Sequence, residues 1–164
     1  MKHPESESIV CHRGKSIMAR LSPGTDLLEG IIHVCIENDI TYAVIVSAIG
    51  SLEHAGIVYV VPDETARIGV RYVPPARIKG PLELLSAQGM IGLTTDSRTS
   101  IHLHGIVSDP RMRVFGGHFI EGEAPILATS EIFIQEVEKI AMVRQFDQPT
   151  GFEMFKLFKT VPGP

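Results

Sequence analysis

Only one segment of this chain carries a helical period. Nearly every other apolar residue sits in short β-branched runs between turns that bear Gly or Pro. That imbalance restricts the fold to sheet built around a single helix. Leu27, Leu28, Ile31, Ile32 and Cys35 recur at helical spacing. Ser22-Pro23-Gly24 precedes them as a turn. Thr25 can cap the helix, Asp26 and Glu29 complement the dipole of its first turns, and Asn38-Asp39 marks the exit. An amphipathic helix of this kind needs a flat surface to pack on.

Strands are expected over 16–21, 42–49, 55–61, 82–90, 100–107, 131–137 and 152–158. Tyr42–Ile49 is nearly uniform in polarity, as a central strand covered on both faces would be, and Gly50-Ser51 breaks it. About seven mostly antiparallel strands and one main packed helix, not alternating along the chain, define an α+β class in a single domain. The expected division is an N-terminal tail over 1–14, the domain over 15–160 and a C-terminal tail over 161–164.

Composition narrows the function classes. The chain has 164 residues, 44% of them apolar and 21% charged, which is globular and too apolar for disorder. Nineteen acids against 15 bases give a net charge of −4, which argues against binding nucleic acid through overall charge. Cys11 and Cys35 have no CxxC spacing, which leaves neither a disulfide scaffold nor a thiolate zinc knuckle. The N-terminus lacks the apolar stretch of a signal peptide. The run Ala43–Ile49, interrupted by Ser47, is far too short to span a bilayer. The expectation is a cytoplasmic protein with no membrane partner.

The most informative chemistry lies in Ile101-His102-Leu103-His104-Gly105 and Phe115-Gly116-Gly117-His118-Phe119. On a strand, residues two apart share a face and stand roughly 7 Å apart. His102 and His104 can therefore chelate one ion, and the interval to His118 fits a hairpin return. Gly116 and Gly117 permit positive φ and close backbone approach, which would aim the third imidazole inward. Three neutral imidazoles with an open fourth position form a zinc site, although imidazole also suits Ni, Cu and Fe. The spacing alone also admits a surface or hydrogen-bonded histidine pair. His33 reads as a boundary residue of the helix, His54 starts a strand, and His3 and His12 lie in the tail.

Glu83 is a carboxylate within an apolar strand. It reads as outward and solvated, or, facing the histidines, as an orienting group or a candidate general base. The stretch from Arg67 to Lys79 holds Arg67, Arg71, Arg77 and Lys79 and no acid. That is a solvated connection or an anion-recognition loop, with nucleic acid among the possible contacts. Arg111 and Arg113 form a smaller basic cluster near His118, able to bring an anionic ligand to a metal face. Ser51 lacks a G-x-S-x-G elbow, and the chain carries neither a P-loop nor a GxGxxG opening a helix.

These segments together resemble the plants-and-prokaryotes-conserved (PPC) domain family, found in plant AT-hook proteins and as stand-alone prokaryotic proteins. The resemblance runs from about Arg20 to Phe158. It rests on Arg20-Leu21-Ser22-Pro23-Gly24-Thr25-Asp26-Leu27-Leu28, Ile49-Gly50-Ser51-Leu52, Gly80-Pro81-Leu82-Glu83-Leu84-Leu85-Ser86 with Gly89, His102-Leu103-His104, and Gly116-Gly117-His118 with Gly122, in that order. It implies a mostly antiparallel α+β fold assembled as a homotrimer. It also implies that His102, His104 and His118 match histidine positions that bind a metal, zinc in particular, in some bacterial members. Glu83, Leu84 and Leu85 match the family's Gly-Arg-Phe-Glu-Ile-Leu motif, linked in plants to protein interactions, but Pro81 and Leu82 replace its Arg and Phe. Plant members bind DNA through an AT-hook built on Arg-Gly-Arg-Pro, whereas this chain has only Arg13-Gly14-Lys15. A DNA-binding role thus reaches the chain by family analogy alone.

The resulting expectation is a PPC-type domain with a three-histidine divalent-metal site that binds a small molecule or a protein partner. The alternative is a metal-dependent enzyme using a metal-bound water at the same site, with Glu83 as base.

Overall fold

The computed structural model describes residues 6–160. His3 and the expected tail 161–164 lie outside the described residues. The elements follow as β1 (His12–Leu21), α1 (Leu27–Glu37), β2 (Ala43–Val58), β3 (Val60–Pro62), β4 (Val70–Tyr72), β5 (Ala76–Thr94), β6 (Thr99–Ser108), β7 (Val114–Phe119), β8 (Ile126–Glu138), β9 (Ile140–Asp147) and β10 (Phe152–Lys159). Eight strands form one sheet in the order β1-β8-β2-β7-β6-β5-β9-β10, and β3 and β4 pair separately. β2 also pairs with β5, which closes β2, β7, β6 and β5 into a ring of strands. All pairings are antiparallel except β5 with β9, which makes the main sheet mixed.

Ten described strands stand where about seven were expected. The segments expected at 42–49 and 55–61 are one strand, β2, which bends without ending. Its pairing with β8 shifts register between Ile45 and Ser47 and again between Gly50 and Leu52. Gly50 takes φ 152°, and a Cβ there would collide with the Thr129 carbonyl. The glycine read as a break is a bulge that lets two strands approach closely. The end of the expected 55–61 segment is the separate strand β3, while β4, β7 and β9 escaped notice because they are short, glycine-bearing or mixed in polarity.

β2 also corrects a burial expectation. Ala43, Ile45 and Ala48 face the core with no exposure, whereas Val46 and Ile49 are 46% and 49% exposed. The strand is thus covered on one face, and its outer face presents apolar side chains to solvent.

The helix forms as expected, with a different cap. Asp26 rather than Thr25 is the N-cap, and its Oδ1 accepts from the backbone N–H of Leu28 at 3.0 Å and of Glu29 at 3.1 Å. Its Oδ2 accepts from the Ala124 N–H at 2.8 Å, tying the helix start to the loop before β8. Asp39, at φ 55°, turns the chain out of the helix. α1 buries Leu27, Leu28, Ile31 and Cys35 and lies against β1 and β6. No helix among the described residues is long and apolar enough to cross a membrane.

The contact between α1 and β6 positions the site. Ile101, Leu103, Gly105 and Val107 of β6 are buried, so the alternate residues His102, His104 and Ile106 are held on the opposite face. Gly105 has no Cβ because one would stand 2.6 Å from the Phe119 ring and 3.0 Å from Ala87 Cβ.

Candidate metal centre

β6 and β7 form the hairpin that the interval between histidines implied, with His104 directly opposite His118. His102 lies two residues back on the same face of β6. The three imidazole centroids are 4.9, 5.0 and 5.3 Å apart, and one nitrogen from each ring lies within 4.8 Å of the others. Gly116 and Gly117 do not adopt positive φ. They are ordinary strand residues whose small size matters: a Cβ on Gly117 would come within 2.6 Å of the Val58 carbonyl.

Three observations test whether these residues fit an ion. His102 Nε2 and His104 Nε2 face each other at 3.0 Å. Ligand nitrogens about 2.0–2.1 Å from a tetrahedral zinc stand roughly 3.3 Å apart, close to that spacing. His118 Nδ1 is buried without a hydrogen-bond partner, and such an orphan costs free energy unless something takes its lone pair or its proton. Burial, followed by the neighbouring charges of His104 and Arg144, pushes His102 down to about 4. Burial and then His102, His104 and Arg144 bring His118 down to about 4 as well, and burial lowers His104. Near neutral pH all three rings are therefore uncharged, the form that ligates metals. The donor set fits a divalent ion.

The surroundings are uneven. Beside His102 and His104 a shallow groove of about 560 Å³ runs over β2 and β5, lined by Val44, Val46, Gln88 and Met90. On the other side the Tyr72 ring lies 6.5 Å from His118 and meets Phe152 edge-on at 5.0 Å.

The remaining candidates sit elsewhere. Glu83 is exposed and pairs with Ser108, four residues along β6 from His104. That offset is about 13 Å at strand rise, beyond proton-transfer reach of a group held by the histidines. Arg111 and Arg113 belong to the turn at the far end of the hairpin. There Asp109 accepts from both backbone N–H groups, at 2.9 and 3.0 Å, and pairs with the Arg113 guanidinium at 2.6 Å. Proximity in sequence to His118 does not bring them to the histidine face, because β7 carries the chain away from the turn.

The basic stretch is not one loop. Arg67 donates to the Gln148 carbonyl, and Arg71 on β4 pairs with Asp63 at 3.2 Å. Arg77 on β5 lies 2.6 Å from His54 Nε2 and 3.8 Å from Glu123, while Lys79 follows on the same strand. His33 pairs with Glu37 at 3.1 Å, away from the triad. Cys35 is buried, its thiol pushed up to about 11 mainly by burial, and both cysteines are free.

Sequence reasoning missed Arg144, Tyr72 and Met90. Arg144 had a readable signal, since it continues the buried Ile140 and Met142 alternation of β9 with a cation.

Comparison with known proteins agrees with this architecture. A metal-containing protein from Archaeoglobus fulgidus is 30% identical, covering 92% of this chain and 99% of that one, with a TM-score of 0.77. A plant- and prokaryote-conserved protein from Pyrococcus horikoshii is 25% identical over 94% of this chain and 100% of its own, with a TM-score of 0.76. A candidate DNA-binding protein from Bacteroides thetaiotaomicron shares the fold at 17% identity, covering 89% of this chain and 96% of that one, with a TM-score of 0.70. Among curated proteins, the bifunctional protein GlmU of a Synechococcus strain is 29% identical over 133 residues, 81% of this chain. The chain spans only 18% of that relative's length. Residues 9–138, from just before β1 through the end of β8 and including all three histidines, match the family described as the Plants and Prokaryotes Conserved (PCC) domain, and to that family the chain belongs.

Proposed function

We propose that this PCC domain holds one divalent ion on His102, His104 and His118, zinc by donor type, with the fourth position left to a small-molecule or protein ligand. The observation that carries the reading is the convergence of three ring nitrogens within 4.8 Å, one of the rings bearing an orphaned buried nitrogen. Zinc bound there would supply a Lewis-acidic centre to an incoming donor atom. The chain's own part is to keep the three imidazoles neutral and aimed at one point. The metal-containing description of the Archaeoglobus protein is in keeping with this.

Assembly as a homotrimer, implied by the family resemblance, is supported by the open apolar face. Ile49, Leu85 and Ile106 are each 45–50% exposed on neighbouring strands, and exposed apolar residues gathered on one face mark an interaction surface. A cytoplasmic location accords with two free cysteines. The enzymatic alternative has less support, because Glu83 is too remote to serve as its base. DNA association also has less support. Arg71 and Arg77 lie beside Asp63 and Glu123, which offset part of their charge, and the family analogy is its main ground.

Metal analysis of protein purified without an affinity tag tests the reading. One ion per chain is expected, and it is lost when His102→Ala and His104→Ala are combined. Protein that stays free of metal under metal-replete conditions, while folded, overturns the proposal.

A further inference from the structure

β9 enters the sheet parallel to β5, with Arg144 opposite Thr94. Thr94, Gly92 and Met90 alternate onto one face of β5, and Met90 lies opposite His102. The Arg144 side chain thus starts on the histidine face. Its Nη1 donates to the Ile101 carbonyl at 2.9 Å, beside His102.

Among the described residues no carboxylate pairs with Arg144. Arg71, Arg77, Arg98 and Arg113 each have an acid within 4 Å, and Arg13, Arg20, Arg67 and Arg111, which have none, are exposed to solvent. A guanidinium has five N–H donors in a planar fork, and the Ile101 carbonyl occupies one of its nitrogens. Arg144 is also only partly exposed. A partly buried cation next to a cluster built for another cation is unfavourable until an anion joins them. Beside His102, over β2 and β5, the groove lined by Val44, Val46 and Met90 is mainly apolar.

We infer that the site takes an organic carboxylate with an apolar tail, its carboxylate shared between the histidine-held ion and the Arg144 fork and its tail laid along the groove. The inference rests on the metal reading above and specifies its ligand class. Arg is the residue suited to bidentate carboxylate recognition. The groove selects the tail because apolar contact there removes both surfaces from water.

The test uses the intact, zinc-loaded chain and calorimetric titration with acetate, butyrate, hexanoate, hexanol and inorganic phosphate, after zinc content is measured for each variant. Full burial of a CH₂ tightens binding about fourfold, so hexanoate should bind tenfold or more tighter than acetate even when half buried. Hexanol, lacking the charge, should bind at least tenfold more weakly than hexanoate. Arg144→Met should lose tenfold or more in hexanoate affinity with zinc stoichiometry unchanged, and Arg144→Lys should fall between. Val46→Asn, at an exposed position that folding tolerates, should flatten the chain-length series and leave acetate unaffected.

Zinc present but hexanoate no tighter than acetate, phosphate preferred over hexanoate, or Arg144→Met binding like the parent would each overturn this inference and leave the metal reading standing. Absence of zinc from the folded parent overturns both.

Discussion

Acid should weaken the metal-free fold in a window set by the histidines and not by the carboxylates. His102 and His118 sit at about 4 in the folded protein against an ordinary 6.5. Between those values the unfolded chain binds more protons than the folded one. The histidine contribution therefore falls as pH drops from 6.5 towards 4 and changes no further below. One pKa unit corresponds to about 1.36 kcal/mol, so each ring contributes up to about 3.4 kcal/mol. Halved for partial access to solvent, the pair amounts to about 3 kcal/mol. Asp109 and Asp147, held below the usual carboxylate range by Arg113 and Lys156, act in the same direction but only below about pH 4. Urea denaturation of chelator-treated protein at half-unit steps from pH 7 to 4.5 reads the slope. The double variant His102→Gln, His118→Gln should be flatter by about 3 kcal/mol across that range. With zinc saturating, the parent's slope should steepen, because the ion competes with protons for the same nitrogens. A parent curve flat from 6.5 to 4.5, or one that runs parallel to the double variant, refutes the reasoning.

Two further perturbations separate scaffold from site. Leu103→Ala removes a fully buried side chain between the two β6 histidines; denaturation should show a loss of about 2–5 kcal/mol, with weaker zinc retention in the same protein. Asp26→Ala removes the helix cap and its hydrogen bond to Ala124. The expected loss is about 1–2 kcal/mol, with zinc stoichiometry unchanged, since the cap touches nothing near the histidines.

Much of the fold was legible because the pattern was local. The α1 stripe of Leu27, Leu28, Ile31 and Cys35 specifies a buried helical face regardless of partners. The alternation in β6 specifies which residues face the core. The histidine pair was legible for the same reason, since two-residue spacing on a strand is a geometric statement. What escaped depended on pairing across distant segments. Nothing local in Ile49-Gly50-Ser51 tells a break from a bulge, because the answer lies in the carbonyl of Thr129. Arg111 and Arg113 looked close to His118 until the hairpin register placed the turn about 13 Å away. Arg144, 26 residues beyond His118, meets the site only because β9 docks beside β5.

The alternation of β6 has one more consequence. The strand that pins Leu103 and Val107 against the interior is the one that offers two imidazoles to solvent. A single-residue deletion within it would reverse both assignments at once, turning histidines into the oily interior and leucine out into water. Ligand set and interior packing are thus inherited as one property of alignment. Point substitutions can erase the histidines one by one and spare the fold, but no one-residue slip of this strand can keep either.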